Sequence, residues 1–98
     1  MSEVYRALAD PTRRRILQLL REREMTAGEI ADHFDLAKPT LSGHFAVLRE
    51  ARLVAPEKSG TTITYRLNVS VLEEALLALM DGFKLGSPQK NASREDKS

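Results

Sequence analysis

The apolar residues in the first half of the chain recur every three or four positions, the spacing that places them on one face of a helix. A short first helix is predicted over residues 3–9. A second helix begins with Asp10 as N-cap and Pro11 in the first turn, and it runs to about Glu22. Its apolar stripe is broad enough for a helix that packs in a core.

A tight connection is predicted between the next two helices. Thr26 and Glu29 have the spacing of a capping box, in which each side chain accepts a hydrogen bond from a free amide at the start of a helix. A short third helix should follow them. Pro39 fits the first turn of a fourth helix, which is predicted over residues 38–51 and has small polar residues on its outward side.

The pattern changes to extended segments after Leu53. Residues 54–58 and 62–67 are two extended runs, and the second alternates apolar with polar side chains. Residues 59–61 contain a glycine and join the two runs. A two-stranded hairpin is therefore predicted.

A last helix is predicted from the capping-box spacing of Ser70 and Glu73 to about Phe83. Residues 75–80 are apolar nearly all round, which is more than one buried face of a monomer needs. This excess predicts a second chain. Residues 86–98 have no periodic apolar pattern and are expected to form a disordered polar tail.

The predicted element order is ααααββα, a mainly α chain with a two-stranded β-hairpin (α+β). Two helices joined by a tight turn and followed by a hairpin describe a winged helix-turn-helix. One domain is expected over residues 1–85, with the tail at 86–98 outside it.

Composition narrows the class of protein. The 98 residues are 42% hydrophobic and 30% charged, and no apolar run approaches the roughly 18 residues needed to cross a bilayer. The chain starts with an acidic segment that does not resemble a secretory signal, so a cytoplasmic protein is expected. The sequence contains no cysteine, which excludes disulfides, thiolate metal sites and cysteine nucleophiles.

The net charge of +1 is unevenly distributed along the chain. Residues 22–35 contain five acidic side chains and one basic side chain, whereas residues 38–68 contain five basic and two acidic ones. A local excess of positive charge suits an anionic partner, although a solvated surface of mixed charge explains it equally well.

Residues 7–17, 41–54 and 60–65 resemble the ArsR-type family of winged helix-turn-helix transcriptional repressors. Residues 26–31 and 38–42 are further similar to the SdpR-type autorepressor branch. The resemblance implies a homodimer built from the first and last helices. It also implies that the fourth helix lies in the major groove of double-stranded DNA and that the hairpin contacts the backbone or the minor groove. The expected function is repression at an inverted-repeat operator, including that of its own gene.

Candidate site residues follow from this docking geometry. Those expected at DNA lie in the fourth helix and at the hairpin tip: Lys38, Pro39, Thr40, Ser42, Gly43, His44, Lys58, Thr61 and Thr62. Those expected in the dimer interface are Val4, Tyr5, Leu8, Leu72, Leu76, Leu79, Met80 and Phe83. The family often has a longer polar residue in place of Gly43 and leucine in place of Phe45, so the operator cannot be carried over.

Two features keep alternatives open. The imidazole of His44 lies at the edge of the buried stripe, where it could reach a phosphate or rest against the core with one nitrogen hydrogen-bonded. The run from Arg13 to Arg15 could clamp phosphates. At a helix start, however, pairing with Asp10 or another acid is the favoured use for at least one of the three, and one is expected near DNA or the dimer seam.

No metal, cofactor or catalytic role is expected. The predicted recognition helix has no cysteine pair, the last helix has no histidine, and His33 and His44 lie on different predicted helices. Ser42 and His44 are two residues apart on one helix and do not face each other, so they do not form a nucleophile and base.

Two other functions remain as alternatives. The first is a dimeric protein-interaction module of the antitoxin or anti-regulator type, favoured by Gly43 and the near-neutral charge. The second is a repressor that responds to a small molecule bound near Tyr5, Leu76 and Met80.

Overall fold

The structure is a computed structural model that describes residues 2–85, so the predicted disordered tail at 86–98 lies outside the described residues. In chain order the elements are α1 (Ser2–Leu8), α2 (Pro11–Glu22), β1 (Met25–Thr26), α3 (Ala27–Ala31), α4 (Lys38–Glu50), β2 (Val54–Ser59), β3 (Thr62–Leu67) and α5 (Val69–Gly82). This mainly α arrangement with a β-hairpin confirms the predicted winged helix-turn-helix.

Local capping determines where α2 and α3 begin. The Asp10 carboxylate accepts a hydrogen bond from the main-chain N–H of Arg13 at 3.1 Å, and Pro11 follows in the first turn of α2. At α3 the capping box is complete: Thr26 Oγ1 accepts from Glu29 N at 3.0 Å, and Glu29 Oε1 accepts from Thr26 N at 2.9 Å. Both predicted helix starts are confirmed.

The sheet contains a short strand that sequence analysis missed. It has the order β1-β3-β2 with antiparallel neighbours, and β1 pairs Met25 with Tyr65 and Thr26 with Thr64. Two residues are too few to show an alternating pattern, so β1 exists only through its pairing with β3. This pairing attaches the hairpin, which we call the wing, to the start of α3.

The core lies where the helices meet the sheet. Ile16, Ile30, Leu48 and Leu53 are its largest fully buried side chains. The ring of Phe45 stacks on Tyr65 of β3, with centroids 4.6 Å apart and an angle of 22° between the planes. Because Phe45 belongs to α4, this stack fixes the position of α4 relative to the wing.

The predicted start of the last helix is wrong. No capping box forms at Ser70, because α5 begins at Val69. The preceding residue, Asn68, is held by tertiary hydrogen bonds: its main-chain N–H donates to Leu53 O at 2.9 Å and its side-chain amide donates to Arg52 O at 3.0 Å. These bonds turn the chain into α5 before Ser70 is reached.

A Schellman motif ends α4. Leu53 N donates to Leu48 O at 3.0 Å and Arg52 N donates to Arg49 O at 2.9 Å, while Arg52 has a φ of 63°. This left-handed conformation suits glycine and is strained for a residue with a side chain. The turn sets the direction in which the chain leaves α4 for the wing.

Replacing Arg52 with glycine therefore stabilises the protein. We expect Arg52→Gly to raise the free energy of unfolding by about 0.5–1 kcal/mol, because the left-handed strain is lost. Arg52→Ala is the matched control, since it removes the same side chain and keeps the strain. Urea unfolding followed by circular dichroism measures both variants, and an equal effect of the two substitutions would contradict this explanation.

Candidate nucleic-acid interface

The two helices of the helix-turn-helix are α3 and α4, and residues 32–37 connect them. Ile30 of α3 and Leu41 and Phe45 of α4 are buried in the shared core. Pro39 lies in the first turn of α4, as predicted, and the N-cap Ala37 provides no side-chain hydrogen bond. The start of α4 is thus held by packing and proline geometry, which leaves its polar side chains available.

The predicted reading surface of α4 is exposed. Leu41, Phe45 and Leu48 form the buried side of the helix. The exposed residues among those expected at DNA are Lys38, Pro39, Thr40, Ser42 and Gly43. All five belong to the first two turns, the part of a recognition helix that contacts base edges in this motif.

Packing does not explain the glycine at position 43. A Cβ placed on Gly43 would meet nothing within 4 Å. A glycine inside a helix costs about 0.5–1 kcal/mol relative to alanine. What Gly43 does provide is a stretch of helix backbone that no side chain covers, and this stretch faces solvent.

The tip of the wing carries polar groups. Ser59 pairs with Thr62 across the hairpin, and Gly60 takes a φ of 64° in the turn between them. Lys58, Thr61 and Thr62 are exposed, as expected for groups that contact phosphates.

His44 lies apart from the exposed residues of α4, on its flank toward α2. Its side chain is 16% exposed, and its Nδ1 is 3.2 Å from Arg13 Nη1 and 3.9 Å from Asp10 Oδ2. Of the two alternatives for this histidine, these contacts support the one in which a ring nitrogen is hydrogen-bonded within the protein.

The arginine run serves mainly the end of α1. Arg13 Nη2 donates to Arg6 O at 2.9 Å, Arg13 Nε donates to Ala7 O at 3.0 Å, and Arg14 Nη1 donates to Leu8 O at 2.8 Å. These two side chains thus donate hydrogen bonds to carbonyls at the end of a helix and not to carboxylates. Such carbonyls are good acceptors because they lack intrahelical partners and carry partial negative charge. Arg15 is exposed, and within residues 2–85 it has no hydrogen bond or ion pair.

The residues expected in a dimer interface divide by exposure. Val4 is buried in the protomer's own core, and Leu8 and Leu72 are half-buried against it. Exposed apolar side chains among them are Tyr5, Leu76, Leu79, Met80 and Phe83, and the last of these is 68% exposed. Leu77, which sequence analysis did not select, is 65% exposed. An apolar face of α5 is thus uncovered in the protomer.

Two cavities lie beside these surfaces. One, of about 250 Å³, runs between α2 and α5 and has mostly apolar walls that include Leu17 and Leu76. Tyr5 and Met80 do not line it. The other, of about 280 Å³, lies between α3 and α4, with Lys38 and Ser42 among its lining residues. Of the three residues expected around a small-molecule pocket, Tyr5, Leu76 and Met80, Leu76 alone therefore lines the first cavity.

Other types of site have few candidates in the described range. Between residues 2 and 85, no three histidine, aspartate or glutamate side chains lie close enough together to hold a metal ion. No helix in the same range is long and apolar enough to cross a membrane.

Known proteins similar to this chain are transcriptional regulators. The transcriptional repressor SdpR of Bacillus subtilis (strain 168) is 43% identical over 76 residues, which make up 78% of this chain and 84% of that protein. The crystal structure of an ArsR family transcriptional regulator superposes with a TM-score of 0.78 at 28% identity, covering 85% of this chain and 91% of that one. The crystal structure of a possible transcriptional regulator for arsenical resistance gives a TM-score of 0.72 at 39% identity, covering 90% and 91%.

The helices α3 and α4 followed by the wing define a winged helix-turn-helix domain. The model of a family described as bacterial regulatory protein, arsR family, matches residues 10–55. The chain belongs to the ArsR family. Since the members of this family are DNA-binding regulators and not enzymes, the predicted absence of catalysis is confirmed by membership of the family.

The charge of Asp10 is stabilised where α1, α2 and α4 meet. The hydrogen bond from the Arg13 main chain holds the pKa of Asp10 below its ordinary value, against the opposing effect of burial, with help from the nearby His44 and Arg13 side chains. The capping hydrogen bond from Thr26 likewise lowers the pKa of Glu29. Both carboxylates are therefore favoured in their ionised form.

The Asp10 charge stabilises the fold only where it is ionised. Because its pKa is lower in the folded chain, the contribution is complete above about pH 4 and is lost as pH falls through the lowered value. Asp10→Asn keeps an N-cap acceptor without the charge, so we expect it to be less stable than the wild type at pH 7, by a difference that shrinks as pH falls below about 4. Urea unfolding across this range measures the difference, and a gap that is independent of pH would contradict it. Asp10→Ala also loses the cap, at a cost of about 1 kcal/mol.

Proposed function

We propose that this protein is a transcriptional repressor that binds an inverted-repeat operator as a homodimer and blocks the promoter, including that of its own gene. The observation that carries the proposal is the two-sided α4. Its buried side anchors the helix in the core, and its first turns expose Lys38, Thr40 and Ser42.

Base reading is assigned to the start of α4. The Thr40 and Ser42 hydroxyls both donate and accept hydrogen bonds, and Lys38 donates, so together they suit the acceptor-rich edges of the major groove. The bare backbone at Gly43 allows α4 to approach the bases closely. Pro39 positions the first turn, and His44, on the flank of the same helix, is assigned no base contact because its Nδ1 lies 3.2 Å from Arg13 Nη1.

Phosphate contacts are assigned to the wing. Lys58 supplies a cation, and Thr61 and Thr62 supply hydroxyls at the exposed tip. Such contacts fix the register of the protein on the duplex and make affinity depend on salt concentration.

Dimerisation is assigned to α5 together with Tyr5 of α1. The exposed side chains Leu76, Met80 and Phe83 form an apolar surface that would cost free energy in water and is removed by a second copy of the chain. A two-fold dimer places its two recognition helices about 34 Å apart, one helical turn of DNA. The proposed mechanism requires no metal or cofactor. Because the proposed target is the bacterial genome, the protein would work in the cytoplasm.

Substitutions at the start of α4 test the reading surface. We expect Lys38→Ala and Thr40→Ala each to weaken binding to a duplex from the gene's own upstream region by at least about tenfold, because the dimer loses each contact twice. Fluorescence anisotropy at two salt concentrations measures this, with an equal-length scrambled duplex for comparison. Lys84→Ala, outside α4 and the wing, is the control of equal charge and should bind as the wild type does.

Two outcomes would reject the repressor. Equal affinity for the upstream and scrambled duplexes would remove sequence selectivity. Absence of binding at low salt would remove DNA binding altogether. Either result would favour the protein-interaction module, which the exposed face of α5 also suits.

A single carboxylate in the proposed interface tests the dimer. Leu76→Glu places a charge where the partner would exclude water, so we expect a monomer at micromolar concentration and a loss of DNA affinity of at least about tenfold. Leu77→Glu is the matched control, since it turns about 100° further around the same helix and lies outside the proposed interface. Sedimentation velocity measures both variants, and a dimeric Leu76→Glu protein would overturn this interface.

A further inference from the structure

The Arg13 guanidinium joins α1 to α4 from its place on α2. On α1 it donates to Arg6 O and Ala7 O, at 2.9 Å and 3.0 Å. On α4 its Nη1 is 3.2 Å from Nδ1 of His44. Its main-chain N–H is bound to the N-cap Asp10 at 3.1 Å. One planar side chain therefore contacts two helices while its backbone is fixed at the start of a third.

The chemistry of the pair defines which atom accepts. A guanidinium only donates hydrogen bonds, so Nδ1 of His44 must accept and the ring proton lies on Nε2. Asp10 Oδ2, at 3.9 Å from Nδ1, is too distant to compete as a hydrogen-bond partner. The imidazole is mostly shielded from water, with 16% of the side chain exposed, which favours a defined geometry.

A second polar contact connects the same two helices much more weakly. Arg6 Nη1 lies 3.8 Å from Glu50 Oε1, and both side chains are about two-thirds exposed, at 65% and 64%. Exposed ion pairs of this kind constrain little. The contact between Arg13 and His44 is the better shielded link.

We propose that Arg13 and His44 are positioning residues that fix the recognition helix α4 relative to α1 and thereby set the half-site spacing that the dimer accepts. The inference rests on the proposed function. Tyr5 of α1 belongs to the proposed dimer interface, while His44 extends from the flank of α4. In a two-fold dimer, any rotation of α4 against α1 occurs twice and changes the separation of the two reading surfaces.

Duplexes of altered spacing test this role. The wild-type protein first selects a duplex from a random library, and that duplex is rebuilt with one base pair added or removed at its centre. We expect the wild type to bind both rebuilt duplexes at least about tenfold more weakly, and His44→Leu and Arg13→Lys to reduce this ratio below about threefold. A lysine cannot reach both helices at once, because it lacks the planar fork.

Two further variants separate positioning from general stability. His44→Asn keeps an acceptor at the position of Nδ1, so it should retain the wild-type spacing preference. Arg14→Lys loses a cap on α1 without touching α4, and it should also retain that preference. Thermal unfolding confirms that each variant is folded, and Arg13→Lys carries the test if His44→Leu does not fold.

The outcomes are distinct. Equal weakening on all three duplexes would show a merely structural role and overturn the inference, as would a wild-type spacing preference in both His44→Leu and Arg13→Lys. A wild-type protein that selects no duplex would overturn the proposed function and the inference with it. The pair is also tested without DNA, because ¹⁵N NMR at pH 8 should show an unprotonated Nδ1 on His44, and a protonated Nδ1 would refute the contact.

Discussion

The fold depends on the burial of one side of α4. Leu41, Phe45 and Leu48 pack in the core, and burying each such side chain contributes about 1.5–3 kcal/mol. The stack of Phe45 on Tyr65 extends this anchoring to the wing. Because the buried side and the flank at His44 hold the helix, the exposed side contributes little to stability. Residues on the exposed side of α4 can therefore vary with the binding partner at little cost in stability.

The junction of α1 and α2 meets a different constraint. A helix that ends beside another element leaves carbonyl oxygens without partners, and Arg13 and Arg14 satisfy those of Arg6, Ala7 and Leu8. Three cations at the start of α2 would face the positive end of its dipole, which is unfavourable. The carbonyls of the preceding helix and the Asp10 carboxylate offset that cost. The arginine run is thus explained largely by the structure itself.

Sequence reasoning succeeded wherever the signal was local. The caps at Asp10 and Thr26 are satisfied by neighbours three residues away, and the alternation in β3 reflects its own two faces. It failed where a contact with a residue far away in the sequence determines the local structure. Met25 becomes a strand residue only because it pairs with Tyr65, and α5 begins early because Asn68 is bound across the fold.

The candidate site followed the same rule. The exposed positions of α4 were predictable because helical periodicity separates them from the buried ones. The partner of His44 was not predictable, since Arg13 is 31 residues away and nothing in the sequence pairs the two. Helical periodicity alone does not show that one ring nitrogen of His44 has a partner inside the protein.

A net charge of +1 is small for a protein that binds DNA, and the structure reduces the number of free cations further. Arg13 and Arg14 serve the end of α1, and the proposed surface includes the two lysines Lys38 and Lys58. Because few cations lie on the proposed surface, a repressor of this kind would gain its selectivity from the fit of α4 and, in the proposed homodimer, from two half-sites bound at once. In the proposed homodimer, the apolar face of α5 would bring in the second chain and with it the second half-site. On this proposal, the geometry of the dimer influences recognition more than charge does.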